Sequence, residues 1–275
     1  MDRMLYVALS GAKATMRRQA TNNHNLANVN TNGFKADLDA TVNHKTRTDN
    51  LGNKLGIRSY VDVKQFGVNA ETGELNFTGR DLDVALEGDA FIAVQAPDGS
   101  EVYTRQGNLK VSPSGLLETA SGHPVVGNRG PVVISPYESL SIGADGTISI
   151  KPLETGNSGL ATIDRIKLVE VDPKKLEKLP DGTLKPRPEL IRETSFASGN
   201  VPSGYIRTVE VKEETPRLDA SNNASLVSGA LESSNVNVSE ALVNMIDLSR
   251  LYEMQIKLIK RAEENDTKLT NMLTG

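Results

Sequence analysis

The chain has 275 residues, enough for one large domain or two modest ones, and a hydrophobic content of 37% supports a core of limited size. It contains no Cys, which excludes a disulfide framework, a thiol nucleophile and a cysteine metal cage. A net charge of −4 leaves no basic footprint for nucleic acid, and 4% aromatics with no Trp argue against aromatic-lined ligand pockets.

The first predicted element is a helix within 1–32, a stretch with no Pro and a single Gly. Leu5, Ala8, Leu9, Ala12, Met16, Gln19, Asn23 and Leu26 recur on one face of it. Gly11 is either the site of a close helix crossing or a tolerated small residue. The early apolar run MLYVAL (4–9) precedes Lys13, Arg17 and Arg18, the reverse of a secretory signal. No stretch reaches the ~18 apolar residues that span a bilayer. These two points alone describe a soluble, cytoplasmic chain. The helix runs into NLANVNTNGFK (25–35), where Gly33 offers the left-handed conformation that ends helices. Asn22, Asn23, Asn25, Asn28, Asn30 and Asn32 form either a register-setting polar patch where subunits abut or ordinary helix-end and turn residues.

Residues 33–72 are polar and read as a linker or extended arm. Residues 73–230 read as a β domain. Short apolar or alternating runs (DLDVALEG, AFIAVQ, EVYTRQGNLKV, HPVVG, PVVIS, SLSIG, GTISIK) are separated by the turn segments APDG, SPSG and GADG. ATIDRIKLVEVD (161–172) adds one longer strand, and the proline-rich piece from Pro173 to Leu190 reads as an exposed loop. All twelve prolines fall between Pro97 and Pro216.

Residues 231–275 read as a long helix. Val238, Ala241, Met245, Leu248, Tyr252, Gln255, Ile259, Ala262, Asp266, Leu269 and Leu273 keep heptad spacing, and Leu242 and Ile256 widen the stripe. Asn237 is placed to cap it, with Glu240 three residues on and Val236 set to staple against Ala241. The fold class is therefore α+β, with long N- and C-terminal helices pairing as a coiled coil around a central, mostly antiparallel β domain. The N-terminal helix is too short and too polar to cover the C-terminal stripe. Both are expected to be loosely ordered in the monomer and to firm up on assembly with further copies.

NLANVNTNGFK resembles the N-terminal signature of the bacterial flagellar rod and hook family, carried by Asn25, Leu26, Ala27, Asn28, Thr31, Gly33, Phe34 and Lys35. GALESSNVNVSEALVNMIDLSRLYEMQIKLIKRAEEND is similar to that family's C-terminal signature. TGRDLDVALEGDAFIAV and VYTRQGNLKVSPSGLLETASGHPVVG look like its β domain. Within the family, LSRLYEMQIKLIKRAEEND looks most like the proximal-rod member, and His24 departs from the Asn of many relatives. The resemblance implies a structural rod subunit that stacks helically through its terminal helices, crosses the periplasm and transmits torque. It also implies export through the flagellar type III apparatus without a cleaved signal, and neighbours that are copies of itself and other rod proteins. It leaves proximity to peptidoglycan or a surrounding ring open. It implies no enzyme activity, cofactor, metal, nucleic acid or membrane insertion. The subunit interface then falls on Leu5, Leu9, Ala12, Met16, Asn25, Leu26, Asn28, Thr31, Gly33 and Phe34 at one end. At the other it falls on Asn235, Asn237, Leu242, Met245, Leu248, Tyr252, Ile256, Ile259 and Leu269.

Three alternatives stand beside it. A distal-rod or hook-type paralogue shares the mechanism. A coiled-coil adaptor accounts for the C-terminal heptads but not for NLANVNTNGFK. A metalloenzyme would rest on Asp81, Asp83 and Asp89, which alternation on the outer face of a strand explains as well, and His24, His44 and His123 are scattered.

Overall fold

A computed structural model describes residues 2–46, 58–153, 159–172, 175–179, 181–187, 189–194, 209–214, 216–221 and 223–274. The class is α+β, and every strand pair among the described residues is antiparallel. Two units form. One joins Met1–Glu74 to Ser233–Gly275, and the other is Leu75–Glu232. No helix among the described residues is long and apolar enough to cross a membrane.

The first unit holds helix α1 (Asp2–Ala27) and strands β1 (Asp37–Thr46) and β2 (Arg58–Val68). These strands pair from Asp37↔Val68 to Thr46↔Arg58, with a register slip between Leu38 and Asp39, so 33–72 contains a ladder. At the other end of the chain the unit takes in a 37-residue helix, Val238–Thr274, about 56 Å long at 1.5 Å per residue. Asn237 Oδ1 accepts from Glu240 N–H (3.2 Å), so the cap forms where the sequence places it. The two helices pack antiparallel: Gly11 and Thr15 lie beside Gln255, and Asn22 lies beside Ala241. A methyl group on Gly11 would come 3.0 Å from Gln255 Nε2, so that side chain would have to shift to admit it.

The second unit opens with β3 (Leu75–Phe77), β4 (Val84–Leu86), β5 (Ala90–Gln95), β6 (Glu101–Thr104), β7 (Leu109–Val111) and β8 (Leu117–Thr119). It continues with β9 (Val126–Gly127), β10 (Gly130–Pro131), β11 (Tyr137–Ile142), β12 (Thr147–Pro152), β13 (Ala161–Arg165) and β14 (Leu168–Glu170). It ends with β15 (Leu176–Lys178), β16 (Leu184–Pro186), β17 (Glu189–Thr194), β18 (Val209–Glu214), β19 (Leu226–Ser228) and β20 (Ala230–Glu232). After it comes the C-terminal helix, α2. The largest sheet has the order β14-β5-β6-β16-β15, and a second runs β11-β12-β13. Val84, Ile92, Val94, Val102, Leu109, Leu117, Ile148 and Ile166 are sealed in one core. The entering and leaving strands close the unit, β3 on β20 and β4 on β19.

Two expectations change here. The proline-rich piece from Pro173 to Leu190 is not simply an exposed loop: among its described residues β15 and β16 form a hairpin on the five-stranded sheet, with Leu176 and Leu184 buried. Alternation across LEK and LKP drives this, and the prolines tolerate it because Pro186 ends its strand. ATIDRIKLVEVD is two strands in different sheets. The break comes where Ile166 N–H donates to Gly146 O and Lys167 N–H to Val126 O.

One turn recurs three times, at Asp98-Gly99-Ser100, Asp145-Gly146-Thr147 and Asp181-Gly182-Thr183. Each Asp accepts from the backbone N–H and the hydroxyl of the residue two ahead, and each Gly has φ near +83°. The hydroxyl bonds from Ser100 and Thr147 hold the Asp98 and Asp145 carboxyls below their ordinary range.

One ion pair is fully enclosed. Arg105 Nε donates to Glu232 Oε2 (2.7 Å), its other nitrogens donate to Gly88 O (2.7 Å) and Leu86 O (3.1 Å), and the guanidinium lies 5.5 Å from the Phe91 ring centre. It fastens the last strand of the unit to the middle of the core.

Removing one partner leaves a bare charge in the interior. Glu232→Ala is expected to lower the unfolding free energy by about 3–5 kcal/mol in urea titration. Gly146→Ala meets Ile166 O at 3.3 Å and is expected to cost more than about 1 kcal/mol. Gly99→Ala, with the same φ but open space, should cost less in the same titration.

Candidate functional site

The segment 25–35 ends α1 and turns the chain towards β1. Gly33 takes φ 69° and Phe34 is buried, with His24 edge-on to its ring at 5.6 Å. The backbone that follows, 34–37, runs beside 69–71 and 235 and enters the β1–β2 ladder at Asp37. Its peptide groups need partners that a sheet does not supply.

Asparagine side chains supply them. A side-chain amide carries two N–H donors and an acceptor oxygen, so one asparagine can serve both a backbone N–H and backbone carbonyls. Asn25 Oδ1 accepts from Asp37 N–H (2.8 Å) while Asn25 Nδ2 donates to Asp37 O (3.1 Å). Asn235 Oδ1 accepts from Ala36 N–H (2.8 Å), and Asn235 Nδ2 donates to Glu71 O (2.8 Å) and Asn69 O (3.2 Å). Asn235 N–H donates to Phe34 O (3.3 Å), Ser233 N–H to Glu74 O (2.8 Å), and Asn69 N–H to Ala36 O (2.8 Å). Asn22 Nδ2 reaches Ala241 O (2.8 Å) on α2. Lys35 is buried and its Nζ donates to Glu71 O (2.5 Å). His24 Nδ1 lies 2.8 Å from Asp37 Oδ2, and since a carboxylate only accepts, that nitrogen carries the proton. Asn28 donates to His24 O (2.9 Å) and receives Thr31 Oγ1 (3.2 Å), a local brace. The resulting polar cleft of 540 Å³ is lined by Arg18, Asn22, Asn25, Asp37, Asn235 and Asn244, among others.

The residues singled out in the sequence thus divide. Asn25, Asn28, Thr31, Gly33, Phe34 and Asn235 meet within one chain at this joint, Leu26 is half-buried beside them in sequence, and Asn237 caps α2 at its edge. On α2, Leu248 is buried and Met245, Tyr252, Ile256 and Ile259 are half-buried, whereas Leu242 is exposed. The side chain of Leu269 lies outside the described residues. On α1 the apolar stripe does not turn inward as a whole. Ala12 is buried and Leu5 half-buried, but Leu9 (43%) and Met16 (59%) are exposed. The side of α1 that meets α2 is instead small and polar: Gly11, Thr15 and Asn22. Thr15 Oγ1 bonds Gln255 Oε1 (3.1 Å), a contact the heptad pattern marks only as a polar interruption. Residues missed in the sequence are Ala36, Asn69 and Glu71, which meet the asparagines through their backbone and leave no side-chain signal, and Asp37, which adds its carboxylate beside His24. Asp83, part of the DxD, accepts from Thr78 Oγ1 (2.6 Å) in the interior of the β unit, and no three His, Asp or Glu among the described residues gather as metal ligands.

The comparisons with known proteins fall on the same segments. Residues 5–35 match the family described as Flagella basal body rod protein, and residues 227–272 match Flagellar basal body rod FlgEFG protein C-terminal. Residues 85–150 match Flagellar hook protein FlgE/F/G D1 domain. The flagellar basal-body rod protein FlgF of Salmonella typhimurium is 36% identical over 275 residues, covering 100% of this chain and 99% of that protein. FlgF of Escherichia coli is 35% identical over the same span, with the same coverage. The flagellar basal-body rod protein FlgG of Buchnera aphidicola is 30% identical over 282 residues, covering 98% of each. An identity of this level along the whole length, with the joint-forming segments inside the matched families, means that the chain belongs to the flagellar basal-body rod proteins.

Proposed function

We propose that the chain is a non-catalytic axial subunit of the proximal rod, located in the basal body where the rod crosses the periplasm. It assembles with copies of itself and with other rod proteins through α1 and α2, which pair as a coiled coil, and the assembled rod carries torque. The same reading takes the chain to its place through the flagellar type III export apparatus without a cleaved signal. Likeness to named rod proteins over the full length is the observation that carries it.

The first unit supports it physically. Its described buried apolar residues are Ala12, Ala14, Phe34, Val68, Ala241, Leu248 and Ala262, four of them alanines. At about 25 cal/mol per Å² of apolar surface, alanines contribute little, so a helix of some 56 Å is held by a thin interior. Leu9, Met16, Leu242, Val243, Ile246 and Met254 meanwhile face solvent. An assembly that covers them completes the interior. On this reading 1–32 and 231–275 are the axial segments, 33–72 the arm and 73–230 the central β domain.

Deleting the gene is expected to leave an inner membrane ring with neither rod nor hook in electron micrographs of isolated basal bodies. Intact flagella in that strain would overturn the proposal. The joint has its own test. Asn235→Ala strips Ala36 N–H of its acceptor at a cost of about 1–3 kcal/mol, so amide exchange at Ala36 should quicken roughly ten- to a hundredfold.

A further inference from the structure

Both helices of the first unit carry an apolar seam that the fold leaves uncovered. On α1 it runs through Leu9 (43% exposed) and Met16 (59%), one heptad apart, with the half-buried Leu5 leading into it. On α2 it runs through Val243 (58%), Leu251 (42%), Met254 (56%) and Leu258 (40%). Asp247 sits four residues after Val243 and four before Leu251, in the same stripe. This seam is distinct from the stripe that meets α1, which runs through Ala241, Leu248, Gln255 and Ala262. At 1.5 Å per residue the two uncovered seams are roughly 17 Å and 22 Å long, so one can cover the other.

Their charges are opposite. Helix α1 has four basic residues against one acidic, net +3, and Lys13 is the only charged residue between Leu5 and Met16. The 238–253 half of α2 has three acidic residues against one basic, net −2, with Asp247 in the seam itself. Two copies of the α1 seam would repel, whereas α1 against α2 brings Lys13 towards Asp247.

From this we infer that the α1 seam of one copy seats on the outer seam of α2 of a second copy, with Leu9 and Met16 packed about Val243 and Leu251 and Lys13 facing Asp247. This rests on the rod reading and says which surfaces meet. Because the two surfaces differ, each subunit keeps one of each kind free. Such a head-to-tail contact, repeated with a rotation that does not close, propagates as an open chain.

The natural chain has no Cys, so introduced thiols report cleanly. Full-length Leu9→Cys and Leu251→Cys chains would be concentrated and oxidised, separately and mixed. The mixture is expected to give roughly tenfold more disulfide-linked dimer than either variant alone, the ratio a ~1.4 kcal/mol preference sets. A chain carrying both changes should give a ladder of multimers. Lys13→Glu in the first chain is expected to lower the mixed yield roughly tenfold, and Asp247→Lys in the second to restore it. Equal yields from single variants and mixture, or no linked product at all, would overturn the seam pairing, as would a charge reversal that fails to compensate. A seam that fails while the deletion strain still lacks its rod leaves the rod reading standing. A deletion strain with intact flagella removes that reading without touching the crosslinking result.

Discussion

The ends of this chain are held together by asparagine amides standing in for peptide groups. Ala36 N–H, the backbone N–H and carbonyl of Asp37, and the carbonyls of Asn69 and Glu71 are bonded by asparagine side chains and not by a strand partner. Asp would lose the donor, Leu would lose both functions, and Gln would add a methylene and a rotor to a contact made at 2.8 Å. Only Asn matches a peptide's donor and acceptor at this reach. The bonds from Asn235 to Ala36 span 199 residues of sequence. Closing so long a loop is entropically unfavourable, but the penalty grows only as the logarithm of loop length. Part of it is met within the β unit, where β3 pairs with β20 and places Leu75 opposite Glu232. The enclosed Arg105–Glu232 pair then fixes the last residue of that strand.

The helix pair follows a different logic. Gly11, Thr15 and Asn22 on α1 meet Gln255 and Ala241 on α2, so the backbones approach closely and polar atoms specify the register. Such contacts fix position well and contribute little burial energy. Leu248 apart, several large apolar side chains, among them Leu9, Met16, Val243 and Met254, are turned away from that contact.

Much of the fold was legible because local chemistry decides it. The α2 cap at Asn237 and the mostly antiparallel β character of the middle of the chain each depend on a few neighbouring residues. The β1–β2 ladder was not legible: DLDATVNHKT and RSYVDVKQFGV lack a clean two-residue alternation, and their pairing is set across a gap in sequence. The β15–β16 hairpin was hidden by composition, since four prolines and mixed charge outweighed the buried Leu176 and Leu184. At the joint, the asparagines announced that something polar was being satisfied. Their partners are backbone atoms, which carry no residue type and so no signal.

The face of α1 is the most instructive case. Periodicity locates an apolar stripe correctly but not the partner that covers it. In a chain that folds alone, the stripe and the intrachain contact coincide, because nothing else is present to bury it. Here they separate by about a third of a turn: Leu9 and Met16 lie outside, while Gly11 and Thr15 face α2. A separation of this kind follows when one helix has to satisfy two neighbours. The small, polar side meets the helix that is always present, at low cost to a chain still alone. On the proposed assembly, the apolar side, where burial yields most free energy, is covered by a second copy. The same division explains why the buried positions of the helix pair are so often Ala. A large side chain there would firm the lone subunit but would push the two axes apart, spoiling the spacing against which the outer seams have to fit.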